Sequence, residues 1–259
     1  MKDKDIEIGI IGGFGGMGTV FADLFREEGY RVHASGRQRG PDIPTMAAQC
    51  QVIIVSVPIG VTREIIEQIG PLIKRDALLM DLTSLKTEPV KAMLRSSQAE
   101  VIGLHPLFGP AVASVAGYTI CVCPARGKRW LAWVQDIFTR RGAILIETTP
   151  EHHDEMMALV QALNHLNSIT MGMMLQQWGI DLAELQRYAT PIFNTKLAII
   201  KEIFADNPRL YAEIITLSPH IGRIMELYRR ILSDLETLTK GRDADTFTAS
   251  LEKTSRWLG

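Results

Sequence analysis

His105 has the clearest capacity for proton transfer of any side chain in this sequence. It follows an apolar run at residues 101–104 that predicts a strand, and prolines at 106 and 110 stiffen the segment after it. An imidazole titrates near neutral pH and can act as a general base. Ligands of open α/β sheets bind outside the carboxyl ends of the strands, where we expect this segment and residues 56–58 and 81–86 to lie. We therefore predict that His105 is catalytic, although an isolated histidine is more often structural.

The strongest motif in the chain is a glycine-rich turn. Residues 13–18 match the pattern GxGxxG and stand between a predicted strand and a predicted helix. In that context Gly13 permits a tight turn, Gly15 lets backbone N–H groups approach a pyrophosphate, and Gly18 allows close helix–strand packing. The alternative is a glycine turn without a ligand, but the position and the spacing favour a dinucleotide bound at a helix N-terminus. The predicted cofactor contacts are Gly13, Phe14, Gly15, Gly16, Met17 and Gly18, with Ser56, Val57 and Pro58 after the third predicted strand.

The segment after the second predicted strand bears on the choice between NADP and NAD. Domains that bind NAD usually place an acidic residue there to bind the ribose hydroxyls. This sequence has Ser35, Arg37 and Arg39 instead, and guanidinium groups suit a 2′-phosphate. We therefore expect NADP, with NAD as the alternative and a solvated basic loop as the interpretation without a ligand.

The first half of the chain alternates short β-branched runs with helix-like segments, a pattern typical of βα units around a parallel sheet. At Thr149 and Pro150 the pattern changes to a helix cap followed by apolar residues at helical spacing, and no convincing strand follows. The sequence predicts a Rossmann-type, doubly wound, mainly parallel α/β domain over residues 1–149 and an all-helical C-terminal domain over residues 150–259. The predicted strands are residues 7–11, 31–35, 52–57, 78–82, 101–104, 118–123 and 143–147.

Composition narrows the possible partners and the compartment. With 28 basic and 29 acidic residues the formal net charge is −1, which predicts a small-molecule ligand and no binding to nucleic acid or to an anionic membrane. The three cysteines form no CxxC pair, and no histidine or carboxylate pair has metal-ligand spacing, so we predict no metal site. Unpaired cysteines and the lack of a signal-peptide pattern indicate a cytoplasmic protein.

Several segments together resemble the prephenate dehydrogenase family of tyrosine biosynthesis, and the resemblance runs over nearly the whole chain. It includes Thr190-Pro-Ile-Phe193 and Pro208-Arg-Leu-Tyr-Ala-Glu-Ile214 in the helical half. The segments nearest the predicted site are the glycine turn, Val55-Ser-Val-Pro58, Asp81-Leu-Thr-Ser-Leu-Lys86, His105-Pro-Leu-Phe-Gly-Pro110, and His153-Asp154 with Gln161 and His165.

This resemblance implies oxidative decarboxylation of prephenate or arogenate by a homodimer whose helical domains pack together. It makes His105 the partner of the substrate's ring hydroxyl, with Ser84 sharing that hydrogen bond. Gln161 and His165 lie one helical turn apart and would face the pocket as substrate-binding residues. His153 and Asp154 either serve the site or organise the first turn of their helix, and the sequence leaves both open.

One position departs from the family pattern. Members usually carry an arginine after the Pro191–Phe193 segment to bind a substrate carboxylate, and an ungapped match places Glu202 there. Either Lys196, Lys201 or Arg223 replaces it, or Glu202 pairs with a positive group on an altered substrate, or Glu202 faces solvent. We include Lys196 and Glu202 among the predicted substrate-binding residues. The alternative functions are a dehydrogenase of a modified prephenate, such as 4-amino-4-deoxyprephenate, and a non-catalytic NADP-sensing protein.

Overall fold

In the computed structural model, which describes residues 6–205 and 207–259, the short apolar runs of the first half form a seven-stranded sheet. The strand order is β2-β1-β3-β4-β5-β6-β7, and the first five strands are mutually parallel. Strand β6 is antiparallel to β5 and parallel to β7. The predicted fold class is confirmed. The strands are β1 (Glu7–Ile11), β2 (Arg31–Ser35), β3 (Val52–Val55), β4 (Leu78–Asp81), β5 (Glu100–Pro106), β6 (Thr119–Arg126) and β7 (Ile144–Glu147).

Helices cover both faces of this sheet, because its central strands are apolar on both sides. Every residue of β3 and β4 is buried, and one hydrophobic cluster lies on each face. Phe21, Phe25 and Phe138 fill one cluster, while Ile66 and Ile69 fill the other. Burying each such side chain contributes about 1.5–3 kcal/mol, so the sheet is a stable platform for the loops at its edge. The covering helices are α1 (Gly16–Glu27), α2 (Ile43–Gln49), α3 (Ile59–Ile69), α4 (Thr87–Ser96) and α5 (Arg129–Arg140).

The described residues after Glu147 form helices only, as predicted. The first begins with Thr149 as its cap, whose side chain accepts a hydrogen bond from His152 N–H, and with Pro150 in its first turn. It continues through a π-helical segment, Ala158–Leu163, into the next helix. The helices are α6 (Pro150–Met157), α7 (Asn164–Trp178), α8 (Leu182–Arg187), α9 (Pro191–Ala205), α10 (Pro208–Thr216), α11 (Ile221–Gly241) and α12 (Ala244–Leu258).

The chain divides into two units, Met1–Ser218 and Pro219–Gly259. The first contains the sheet and α1–α10, and the second consists of α11 and α12. The domain boundary between residues 149 and 150 stays a prediction. No helix of the described residues is both long and apolar enough to cross a membrane.

The sheet order creates the place where a ligand can bind. From β1 the chain passes to β2 on one side, and it returns to β3 on the other side of β1. A reversal of this kind opens a crevice at the carboxyl ends of the two strands. The glycine turn follows β1 and residues 56–58 follow β3, so both lie at this crevice.

Candidate active site

A cavity of about 550 Å³ lies at the carboxyl ends of the strands. Its walls come from the glycine turn, from the loops after β3, β4 and β5, from the π-helical segment and α7, and from α10. A volume of this size holds a small organic ligand. The predicted site residues that line it are Gly15, Gly16, Met17, Ser56, Val57, Pro58, Ser84, His105, Gln161 and His165.

The tight bend of the glycine turn falls on Gly12, which sequence reasoning missed, rather than on Gly13. Gly12 has a φ of +79°, and a Cβ atom there would lie 2.0 Å from the carbonyl oxygen of Ser56. Gly13 is restricted by packing instead, because a Cβ atom would lie 2.8 Å from the Cβ of Ala34. At Gly18 a Cβ atom would lie 2.2 Å from the Gly12 carbonyl oxygen. A glycine immediately before the motif, at the end of a strand, was the signal available in the sequence.

The turn presents the N-terminus of α1 to the cavity. Gly15 occupies the cap position, and no side chain of the described residues accepts a hydrogen bond there. The first-turn N–H groups and the positive end of the helix dipole are therefore available to an anionic group. Gly15 and Gly16 are exposed, so their backbone can be approached closely. This arrangement fits the pyrophosphate of a dinucleotide.

The loop after β2 packs against the glycine turn, outside the lining of the cavity. The guanidinium of Arg39 lies 4.3 Å from the ring centroid of Phe14, a distance typical of a cation–π contact. Arg37 is exposed. Ser35, by contrast, is buried, and its hydroxyl donates to the carbonyl oxygen of Pro41 at 2.7 Å. The Ser35 side chain therefore stabilises the loop, while its carbonyl oxygen accepts the N–H of Gly12 at 2.8 Å.

His105 is buried and stands at the end of a chain of three side chains. Its Nδ1 lies 2.9 Å from Nε2 of His153, and Nδ1 of His153 lies 2.8 Å from a carboxylate oxygen of Asp154. His105 belongs to β5, whereas His153 and Asp154 belong to α6. The sequence left open whether His153 and Asp154 serve the site; in the structure His153 contacts His105 and Asp154 contacts His153, while neither lines the cavity itself.

These contacts determine which nitrogen of His105 carries the proton. Burial would raise the pKa of the Asp154 carboxyl, but hydrogen bonds from His153, Thr87 and Lys86 outweigh burial and lower it. An ionised carboxylate only accepts hydrogen bonds, so Nδ1 of His153 donates to it, and in a neutral His153 ring Nε2 is left as an acceptor. His105 must then donate from Nδ1, which leaves the lone pair of Nε2 unprotonated. Burial, with His153 and Lys86, holds the pKa of His105 well below its usual range, so the imidazole is neutral near pH 7.

Asp154 also fixes α6 to the sheet. Its carboxylate accepts the backbone N–H groups of Lys86 at 2.8 Å and Thr87 at 2.9 Å, at the start of α4. The ammonium of Lys86 is fully buried, forms an ion pair with Asp81 and donates to the carbonyl oxygen of Leu104 at 2.7 Å. Because Leu104 immediately precedes His105, this buried pair fixes the strand end that carries the imidazole.

Gln161 and His165 contribute two polar side chains to the wall of the cavity. The side-chain nitrogen of Gln161, in the π-helical segment, lies 3.5 Å from Nε2 of His105, and among the described residues its buried oxygen has no hydrogen-bond partner. His165 packs edge-on against Tyr211, with ring centroids 4.9 Å apart, and burial lowers the pKa of His165. π-Helical turns recur at functional sites, and this one carries Gln161 to the imidazole.

Two predicted substrate-binding residues, Lys196 and Glu202, do not line the cavity. Both are exposed on α9, because that helix buries Leu197, Ile200 and Ile203 on its other side. The geometry therefore lends no support to Lys196 or Glu202 as substrate contacts within this chain. It agrees with the third possibility raised by the sequence, that Glu202 faces solvent.

A separate polar trio lies away from the cavity: Glu7 begins β1, His33 lies in the middle of β2, and Cys50 follows α2. Possible metal-ligand atoms of Glu7, His33 and Cys50 lie within 4.8 Å of one another, a proximity that the sequence did not reveal. The Glu7 carboxylate is already paired with Arg31 and with Nε2 of His33. Burial, with a contribution from Glu7, raises the pKa of the Cys50 thiol to about 11, so without a metal the thiol is protonated near pH 7.

A dinucleotide cradle and a neutral imidazole with an unprotonated nitrogen share one crevice of a Rossmann-type sheet. Together they fit a nicotinamide-dependent oxidoreductase. Comparison with known proteins specifies the family. Residues 26–147 match the prephenate dehydrogenase nucleotide-binding domain, and residues 149–253 match the prephenate dehydrogenase dimerization domain. The chain belongs to the prephenate dehydrogenase family.

Individual relatives agree with this assignment. A probable arogenate/prephenate dehydrogenase of Methanocaldococcus jannaschii is 31% identical over 278 residues, covering all of this chain and 62% of the relative. A T-protein of Enterobacter agglomerans is 34% identical, covering 96% of this chain and 67% of the relative. The chain thus spans about two thirds of the length of these relatives. The crystal structure of Aquifex aeolicus prephenate dehydrogenase with hydroxyphenyl propionate and NAD+ has the same fold, with a TM-score of 0.77, 18% identity and 98% coverage of both chains.

Proposed function

We propose that this protein catalyses the oxidative decarboxylation of prephenate, or of its amino-acid counterpart arogenate, with hydride transfer to a nicotinamide cofactor. The observation that carries the proposal is the chain of contacts from Asp154 through His153 to Nδ1 of His105, which leaves Nε2 of His105 to accept a proton in the cavity that the glycine turn also lines. A substrate whose ring hydroxyl loses a proton during oxidation requires such a base.

In the proposed reaction His105 takes one proton from the substrate and later returns it. A bound oxidised nicotinamide supplies a hydride acceptor for the ring carbon that bears the hydroxyl. His105 takes the hydroxyl proton as that carbon is oxidised, and Ser84 shares the hydrogen bond. When the ring carboxylate leaves as carbon dioxide, its bonding electrons make the ring aromatic, and His105 returns the proton to the phenolic oxygen. No net proton is released, so the protein's task is to orient the ring and hold one proton briefly.

The cofactor that we propose is NADP. Gly15, Gly16 and the N-terminus of α1 would hold the pyrophosphate, and Arg37 and Arg39 would bind the 2′-phosphate. The contact between Arg39 and the Phe14 ring supports this assignment, because it places a guanidinium beside the glycine turn.

We also propose that the protein works as a cytoplasmic homodimer. The match to a dimerization domain supports the dimer, as do exposed apolar side chains along α11, a pattern typical of a surface that binds another chain. Three buried, unpaired cysteines are consistent with a reducing compartment. The exposed apolar side chains of α11 include Leu227, Ile231, Leu232 and Leu235.

A steady-state assay of the purified protein tests the proposal. Prephenate, arogenate and 4-amino-4-deoxyprephenate are each supplied with NADP and with NAD, and reduced nicotinamide is followed by absorbance. We expect turnover of prephenate or arogenate, with higher kcat/KM for NADP. Turnover of the amino analogue alone would identify 4-amino-4-deoxyprephenate as the substrate in place of prephenate or arogenate. Cofactor binding without any turnover would instead favour the NADP-sensing alternative.

A further inference from the structure

The proposed substrates raise a problem of charge. Prephenate and arogenate each carry two carboxylates, and the one on the side chain stays in the product. A carboxylate that leaves water needs a cationic or hydrogen-bonding partner. An ungapped match to the family pattern places Glu202 at the position of the usual arginine, and Glu202 is exposed on α9 and lines no part of the cavity.

The cavity does contain another guanidinium. Among the described residues that line it, Arg209 and Glu213 are the only ones that carry a formal charge near pH 7, because the pKa values of His105 and His165 are both lowered. Both belong to α10, one helical turn apart, and Arg209 Nε lies 2.8 Å from a carboxylate oxygen of Glu213. Arg209 is therefore the one lysine or arginine among the described lining residues that can bind a substrate anion.

Glu213 holds this guanidinium at a defined place. The other carboxylate oxygen of Glu213 accepts the backbone N–H of Gly60 at 3.2 Å, in the first turn of α3 and two residues after Pro58. The Glu213 side chain is 13% exposed, whereas that of Arg209 is 75% exposed. The acid is thus fixed between two helices, and the guanidinium projects from it at the rim of the cavity.

The ion pair leaves donors unused. Glu213 engages Nε of Arg209, and a guanidinium has five N–H donors in all, four of them on its two terminal nitrogens. Two N–H groups of such a fork match the two oxygens of a carboxylate. Because the Arg209 side chain is mostly exposed, these remaining donors are accessible to a ligand.

We propose that Arg209 binds the side-chain carboxylate of the substrate and that Glu213 positions its guanidinium. The assignment rests on the proposed function, since it takes a carboxylate-bearing cyclohexadiene as the substrate. It places the specificity for an acidic side chain on α10, in the same cavity as the base on β5.

A pair of ligands that differ by a carboxylate tests this directly. Calorimetric binding to NADP-saturated protein is measured for 3-(4-hydroxyphenyl)propionate and for the neutral 4-propylphenol. In Arg209→Gln we expect affinity for the carboxylate ligand to fall by about 10- to 100-fold and affinity for the phenol to stay within twofold. Arg209→Lys should lose less, because the charge remains without the planar fork. Unchanged phenol binding also reports an intact fold.

Arg63→Gln is the matched control. Arg63 pairs with Glu67 at the same spacing, Nε to carboxylate oxygen at 2.9 Å, but on α3 and outside the cavity lining. It should leave both affinities unchanged. Equal losses in Arg209→Gln for the two ligands, or no loss for the carboxylate ligand, would overturn the assignment.

Kinetics separate this inference from the proposed function. In Arg209→Gln we expect KM for prephenate or arogenate to rise at least tenfold while kcat changes less than threefold, because the side-chain contact is made equally before and during reaction. Absence of turnover in the native protein would refute the proposed function, and the ligand pair would still decide whether Arg209 recognises a carboxylate.

Discussion

The two sides of the cavity achieve function by different physical means. On the cofactor side the working groups are backbone: Gly12, Gly15 and Gly18 matter because they lack side chains, and the free N–H groups belong to α1. On the substrate side the working groups are side chains in contact, from Asp154 through His153 to His105. A change on the first side should therefore alter cofactor affinity, while a change on the second should alter turnover.

The largest effect on turnover should come from His105→Asn. Asparagine can hold a hydrogen bond but cannot take the ring hydroxyl's proton, so we expect kcat to fall by ~10²–10⁴-fold with the Kd for NADP unchanged. Stopped-flow or steady-state rates with prephenate, together with fluorescence titration of NADP, measure the two quantities. Near-native turnover of His105→Asn between pH 6 and 8 would show that His105 is not the base.

The next largest effect should come from Asp154→Asn, which touches neither ligand. A side-chain amide can donate to Nδ1 of His153, which reverses both imidazoles and puts a proton on the His105 nitrogen that should accept one. We expect kcat to fall by roughly 10²-fold, the lower end of a base's contribution. NADP affinity should again be unchanged.

If Asp154 had only a structural role, the expected result would differ. Asp154→Asn would then lower the melting temperature and weaken NADP binding together with turnover, because α4 would lose the carboxylate at its N-terminus. The pH profile is decisive: in the native protein, kcat/KM should stay level as pH falls through 6.5 and decline only below it, since the pKa of His105 is depressed. If Asp154→Asn keeps both the native turnover and the native pH profile, Asp154 does not position the imidazoles.

Gly18→Ala tests the opposite side of the cavity. Its Cβ would lie 2.2 Å from the Gly12 carbonyl oxygen, so the turn must shift away from the position that admits a pyrophosphate. We expect the Kd for NADP to rise by about tenfold, the loss of one charge-assisted contact or more, with kcat at saturating cofactor within a few-fold of native. Gly222→Ala is the control, because a Cβ there meets open space. A large loss of kcat at saturating NADP in Gly18→Ala would contradict the proposed division between a cofactor side and a substrate side.

Arg37→Asp should give the smallest effect, confined to the choice of cofactor. If Arg37 meets a 2′-phosphate, the ratio of NADP to NAD affinity should fall by about tenfold, since a charge-assisted contact contributes about 1.5–3 kcal/mol. Arg75→Asp changes an exposed arginine outside the cavity lining and should leave that ratio alone. Equal native affinities for NAD and NADP would refute the preference.

The contrast between the two sides also explains what the sequence could predict. The glycine turn and the seven strands depend on neighbouring residues, so local spacing was enough to locate them. The contact between His105 and His153 joins residues 48 apart in the chain, and no local pattern encodes it. The same holds for Gly60 and Glu213, 153 residues apart. Glu202 was a prediction from alignment to a family pattern, and its exposure depends on which face of α9 buries Leu197, Ile200 and Ile203.

The central claim is that His105 is neutral and keeps the lone pair on Nε2 because Asp154 and His153 orient it. Nitrogen-15 NMR of histidine-labelled protein measures this directly, with His105→Asn used to assign the resonance. At pH 7 we predict a neutral imidazole protonated on Nδ1, converting to the form protonated on Nε2 in Asp154→Asn. An imidazolium at pH 7, or a proton on Nε2 in the native protein, would contradict the account.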